Sequence, residues 1–237
     1  VIPTLVGITL LVFVMLRRSR LEDRANRDSR RRATVAEAWR MPSYRAALTS
    51  GFANGWATFG LRNSIVPLFA ATAFVGTGWF IGADQLAGVA LAAFAAGNVA
   101  VVLTVAKRSD EWGRRPPILA GLVIAGLATA ALGSAAHPWM LLVLSLVAGA
   151  GTGLIVPAQQ AAVADIVGEG RNGGSVVSTF QMTQDFGAII GPLLAGLIVD
   201  HLSYGWAFGV TGVVMLIGAA AWTAAPETLP ARRAAQE

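Results

Sequence analysis

Long runs without a formal charge, cut by a short charge-dense island, constrain the fold of this chain more than any other feature. Residues 85–106 are 22 positions free of Asp, Glu, Lys and Arg, and residues 116–164 are 49 more. A helix of about 20 predominantly apolar residues crosses the ~30 Å hydrocarbon core of a bilayer. Lys107-Arg108-Ser109-Asp110-Glu111-Trp112-Gly113-Arg114-Arg115-Pro116-Pro117 lies between the two runs and reads as a tight loop joining membrane spans. Composition agrees. A hydrophobic share of 55%, a charged share of 13% and a mean hydropathy of +0.61 describe an all-α polytopic membrane protein, not a soluble domain.

Counting outward from the island, the sequence predicts a partial helix over 1–16, an Arg-rich loop over 17–45 and a six-helix domain over 46–224. Its spans fall near 46–75, 85–106 and 117–136, then from His137-Pro138 to about 167, and near 173–199 and 205–224, with a tail over 225–237. Because the chain opens inside an apolar run and without Met, it reads as a piece of a longer protein. Lys and Arg sort strictly by loop: seventeen fall in 17–45, 107–116, 168–172 and the tail, and none in 76–84, 137–138 or 200–204. Cytoplasmic loops carry the basic excess. The loop 17–45 and the C-terminus are therefore expected in the cytoplasm, and the chain in the plasma (inner) membrane as a multi-pass protein.

The formal charge of +5 does not point to nucleic acid, because residues 17–45 alone hold ten Arg against four acids. No basic stripe is interleaved with base-stacking aromatics, and the loop reads as a solvated linker touching anionic lipid headgroups. There is no Cys, which removes disulfides, thiolate metal sites and thiol nucleophiles. His137 and His201 each stand alone at a predicted loop. The spans contain no paired carboxylates, no Ser/His/Asp arrangement and no His-based zinc spacing, and no G-x-x-x-x-G-K phosphate loop occurs. Neither an enzyme activity nor a cofactor is expected.

Asp110-x-x-Gly113-Arg114-Arg115 sits in the loop after the second of six spans. Here the chain resembles the major facilitator superfamily, whose signature G-x-x-x-D-x-x-G-R-R/K occupies that loop in each six-helix half. The first position departs, being Ala106. A second resemblance lies in Ala164-Asp165-Ile166-Val167-Gly168-Glu169-Gly170-Arg171-Asn172-Gly173, similar to the family's acid, basic residue and glycine between the fourth and fifth helices of a half. A third, Gly187-x-x-x-Gly191-Pro192, is like the Gly-Pro pattern of its drug exporters. The resemblance implies a C-terminal six-helix half built from two inverted three-helix repeats, preceded by the last helix of the N-terminal half.

The chemistry of the loop motif is legible without the family. A carboxylate beside a helix N-terminus gains from the dipole and the free amides, and an arginine fork can hold a carboxylate through two hydrogen bonds. Asp110, Gly113, Arg114, Arg115, Asp165 and Arg171 thus form a candidate latch at the cytoplasmic face, with Arg114 or Arg115 paired to Asp165. By resemblance, Asp110 faces a helix end of the N-terminal half.

Two ionisable residues fall within spans, where such groups are costly and usually paired or functional. Arg62 and Asp185 lie about 24 and 18 Å in by helical rise, so they can meet. Either they form a structural or gating ion bridge, or Asp185 takes a proton while Arg62 binds an anionic substrate or modulates the acid. Ser50, Asn54, Thr58 and Arg62 recur at four-residue steps, followed by Asn63. Asn98, Gln159, Gln160 and Gln181 add polar groups, and Phe52, Trp56, Phe59 and Met182 supply apolar walls. These residues read as the lining of a central cavity, or as interhelical hydrogen bonds and core packing.

The resemblance implies secondary active transport by alternating access, with proton-coupled export of amphiphilic small molecules or drugs expected first. Uptake of a sugar or other metabolite is the rival, since Pro226-Glu227-Thr228 is similar to the ending of sugar porters, and a non-transporting membrane scaffold is a further alternative. The expected partners are the lipid bilayer, a small-molecule substrate, protons and the N-terminal six-helix half.

Overall fold

The computed structural model describes residues 32–74, 82–105 and 112–229. The expected helix over 1–16, most of the Arg-rich loop, Asp110 and the end of the tail lie outside them. The described helices are α1 (Val35–Trp39), α2 (Pro42–Gly55), α3 (Val66–Ala73), α4 (Ala83–Val105), α5 (Arg115–Leu132), α6 (Pro138–Val167), α7 (Gly174–His201) and α8 (Tyr204–Thr223). A π-helical stretch, Trp56–Ile65, joins α2 to α3, so residues 42–73 form one rod. By length and composition, α4 to α8 can each cross a membrane.

Local chemistry sets the helix starts. Proline occupies the first turn of α2, α5 and α6, where its missing N–H costs no intrahelical bond. Ser203 caps α8 by accepting from the Trp206 N–H at 3.4 Å, and α6 ends at Gly168, whose φ of +80° favours glycine. The π stretch is recorded in its own hydrogen bonds: the Val66 N–H reaches back five residues to the Leu61 carbonyl. Ser64 Oγ reaches the Phe59 carbonyl over the same interval. Such i→i+5 turns are uncommon and gather at functional positions.

Helix α6 lies between α4 and α5, α8 packs on α5 and α2, and α7 runs along α2 and the π stretch. Small residues bring backbones together. A Cβ added to Gly149 would stand 2.0 Å from the Phe94 carbonyl oxygen, and one on Gly97 would stand 2.0 Å from that of Leu146. On α7, Gly187, Gly191 and Ala195 are buried, while Met182, Phe186, Ile189 and Leu193 are exposed. Two apolar clusters, one around Tyr44, Phe180 and Trp222 and one around Phe69, Leu132 and Phe208, fill the two ends.

The sequence places the boundary between loop and span after residue 45, but α2 begins at Pro42. Tyr44 is fully buried and its hydroxyl donates to the Val176 carbonyl at 2.8 Å. The preceding segment is no free linker either. Ala33 and Ala38 are buried, and the Ala33 N–H donates to the Asn172 carbonyl at 3.0 Å. A short apolar set, Ala33, Val35 and Ala38, suffices to dock the end of an otherwise Arg-rich segment.

Candidate functional site

The starts of α2, α5 and α7 and the ends of α6 and α8 meet at one end of the bundle, and the charged motifs collect there. Arg114 Nε donates to Asp165 Oδ2 at 3.2 Å, with both side chains largely covered. Arg115 points elsewhere. Its Nε donates to the Trp222 carbonyl at 3.0 Å and its Nη2 to the Thr223 carbonyl. A guanidinium thus bonds the last carbonyls at the C-terminus of α8, where the helix dipole favours positive charge. Arg171 pairs with Glu37, which ties α1 to the turn between α6 and α7.

The centre of this end is Glu227, a residue outside the sequence-derived site. Its Oε1 accepts from the N–H groups of Arg114 at 2.9 Å, Thr228 at 2.9 Å and Leu229 at 3.2 Å. Its Oε2 accepts from the Arg115 N–H at 3.2 Å. Burial raises the carboxyl pKa, but the bonds from Arg114, Leu229, Arg115 and Thr228 outweigh it and hold Glu227 below its ordinary value. Gly113 makes this possible. Its φ is +89°, and a Cβ there would sit 2.5 Å from Glu227 Oε2. Glycine therefore serves both the backbone turn and the close approach of the carboxylate. The available signal was an acid in Pro226-Glu227-Thr228 directly after the last span, facing a loop with free amides.

The polar residues at depth divide into three groups. Ser50 is a hub: Gln159 Nε2 donates to its Oγ at 2.6 Å, Trp222 Nε1 donates at 2.8 Å, and the hydroxyl donates to the Ala46 carbonyl at 2.8 Å. Trp56 Nε1 donates to Thr211 Oγ1 at 2.9 Å. Gln159 and Trp56, read from sequence either as cavity lining or as interhelical hydrogen bonds, make buried bonds that join the rod to α6 and α8. Asn54 is buried beside them, with its Oδ1 unpartnered, and Asn98 is half-buried on α4.

Arg62 and Asp185 do not meet. Asp185 is exposed on α7, whereas Arg62 is only 8% exposed and its guanidinium lies 3.2 Å from the centroid of the Phe94 ring on α4. Two features turn it away from α7. Gly60, two residues before Arg62, is the one that packs on Gly191, and the π stretch advances less than 100° per residue, so the four-residue alignment with Ser50 lapses. The third group is exposed: Asn63, Gln160, Gln181 and Met182, with Asp185 between Gln181 and the exposed Phe186.

Residues 69–237 match the family model described as Major Facilitator Superfamily. Among curated relatives, the Multidrug transporter protein MdtP of Bacillus subtilis is 27% identical over 123 residues, 51% of this chain and 23% of the relative. The uncharacterized MFS-type transporter YdeG of the same organism is 32% identical over 123 residues, 51% of this chain and 28% of the relative. The Multidrug resistance protein MdtH of Shigella dysenteriae is 30% identical over 93 residues, 39% of this chain and 23% of the relative. The chain spans about a quarter of the length of the curated relatives it matches. A crystal structure of a mutant of the peptide transporter POT in complex with sulfate superposes with a TM-score of 0.64 at 21% identity, over 76% of this chain and 37% of that one.

Proposed function

Because the chain belongs to the Major Facilitator Superfamily, we propose that it is the C-terminal half of a secondary transporter that exports amphiphilic small molecules against proton entry by alternating access. The exposed face of α7 carries this reading. Met182, Phe186, Ile189 and Leu193 form an apolar stripe at helical spacing, and Gln181 and Asp185 stand beside it. An apolar wall with one carboxylate suits an amphiphile, and the acid supplies a group that exchanges a proton for it. Multidrug transporters among the relatives support the substrate class. In this reading the N-terminal half packs over that face, and the charged end, with its Arg-rich segment, lies in the cytoplasm.

The test is dye extrusion by the full-length protein in liposomes with an imposed proton gradient. Wild type is expected to extrude the dye only with the gradient present, and Asp185→Asn to lose that dependence while keeping its thermal stability. Gradient-dependent extrusion that survives in Asp185→Asn would remove Asp185 from coupling. Uptake of a metabolite is the second reading, favoured by the docked Pro226-Glu227-Thr228 ending, which is similar to that of sugar porters. Accumulation of a sugar down the proton gradient, with no dye movement, would select it.

A further inference from the structure

Arg62 is a buried cation for which the described residues provide no anion. Arginine carries its charge near neutral pH, and an isolated charge in a low-dielectric interior is strongly disfavoured unless paired. Each acid with a described side chain lies elsewhere or is engaged elsewhere: Glu37 with Arg171, Asp165 with Arg114 and Glu227 with the Gly113 loop. Asp185 is exposed on α7, and Glu169 and Asp200 are exposed at helix ends. Among the described residues, the guanidinium has one hydrogen bond, to Thr58 Oγ1 at 3.4 Å. The face of Phe94 covers it on one side, which supplies part of the missing negative potential.

Beside it is a cavity walled by the rod, α4, α5 and α6. Its lining is apolar except for Arg62, Thr129 and Ser145. Thr129 Oγ1 is buried and has no hydrogen-bond partner, so a hydroxyl donor lines the cavity that the guanidinium lines. One fixed positive charge, a free hydroxyl and apolar walls are the elements of an anion site. The free space is close to that of a single small group, so a monatomic anion suits it better than a polyatomic one such as sulfate. We propose that this cavity binds a small monatomic anion, chloride in size and charge, held by Arg62 and Thr129 as a resident counter-ion inside the bundle. The site faces the interior of the bundle and is separate from the α7 face, so its failure and that of the transport reading are distinguishable.

The experiment measures thermal unfolding of the purified full-length protein in detergent, with sodium chloride exchanged for sodium gluconate at constant ionic strength. Chloride and bromide are expected to raise Tm saturably by ligand linkage, and gluconate and sulfate to give no saturable rise. Arg62→Met is expected to abolish the chloride response. Thr129→Val removes a hydroxyl that has no partner in the empty site. It is expected to fold and melt as wild type in gluconate while needing about tenfold more chloride for half the effect. A wild-type Tm indifferent to the anion, an equal response to every salt, or a full chloride response in Arg62→Met would overturn the proposal. Should Arg62→Met fail to fold, an unchanged half-saturating chloride concentration in Thr129→Val would do the same.

Discussion

Replacing Glu227 by Ala deletes the acceptor for four backbone N–H groups, those of Arg114, Arg115, Thr228 and Leu229. A hydrogen bond to a charged group nets about 1.5–3 kcal/mol, and a buried donor left bare costs its desolvation as well. The four losses do not add. Water can reach the half-buried Arg114, Arg115 and Leu229 once the carboxylate is gone, while Thr228 is buried. The expected destabilisation is about 3–5 kcal/mol, near two full charged bonds. Glu227→Gln separates charge from geometry. Three of the bonds fall on Oε1 and one on Oε2, so the amide can keep three by turning its NH2 toward the Arg115 N–H. A cost of about 1.5–3 kcal/mol follows, for the single lost bond and the lost charge.

The assay is thermal denaturation of the full-length protein in lipid nanodiscs, read beside hydrogen exchange at Gly113, Arg114 and Arg115. Because the folded pKa of Glu227 lies below its ordinary value, its contribution is complete above the unfolded pKa and fades as pH falls through the folded one. The gap between wild type and Glu227→Gln should therefore close on acidification below the ordinary carboxylate range. A Glu227→Ala protein that melts within about 0.5 kcal/mol of wild type, the usual scale of a neutral surface change, with exchange at Arg114 and Arg115 unaltered, would refute this account of the charged end.

Two further substitutions probe the same framework. Gly113→Ala forces a side chain into a φ of +89° and against Glu227 Oε2. It should cost about 1–3 kcal/mol, and a double-mutant cycle with Glu227→Ala should show strong coupling. Ser50→Ala strands two buried donors, Gln159 Nε2 and Trp222 Nε1. A loss of about 2–4 kcal/mol is expected in the same melts.

The long uncharged runs made the helical architecture legible, because bilayer thickness leaves little choice once charges are confined to loops. The pairing of Asp165 with an arginine of the island was legible for a similar reason: both motifs had to arrive at the same end. Glu227 was not, since an acid three residues past a span acquires meaning only when Gly113 at positive φ opens room for it. Nor was the direction of Arg62. Reading Ser50, Asn54, Thr58 and Arg62 as one face assumes 100° per residue, and nothing in Trp56–Ile65 announces a π-helical stretch. Gln159 and Trp56 illustrate a further limit, because a buried amide or indole has the same sequence signature whether it meets a solute or another helix.

The distribution of these bonds decides which contacts can switch. Ser50 ties α2 to α6 and α8, Trp56 ties the rod to α8, and Gly60 and Gly191 lock the rod to α7 at backbone distance. Opening the bundle would strand several buried donors at about 1–3 kcal/mol each, more than the few kcal/mol that separate populated conformations. The Arg171–Glu37 ion pair at the charged rim differs. Arg171 and Glu37 are partly exposed, and pairs of that kind contribute about 0–1 kcal/mol, so they can break and reform within thermal reach. The Arg171–Glu37 contact is therefore one that can exchange while the buried bonds of Ser50 and Trp56 stay closed.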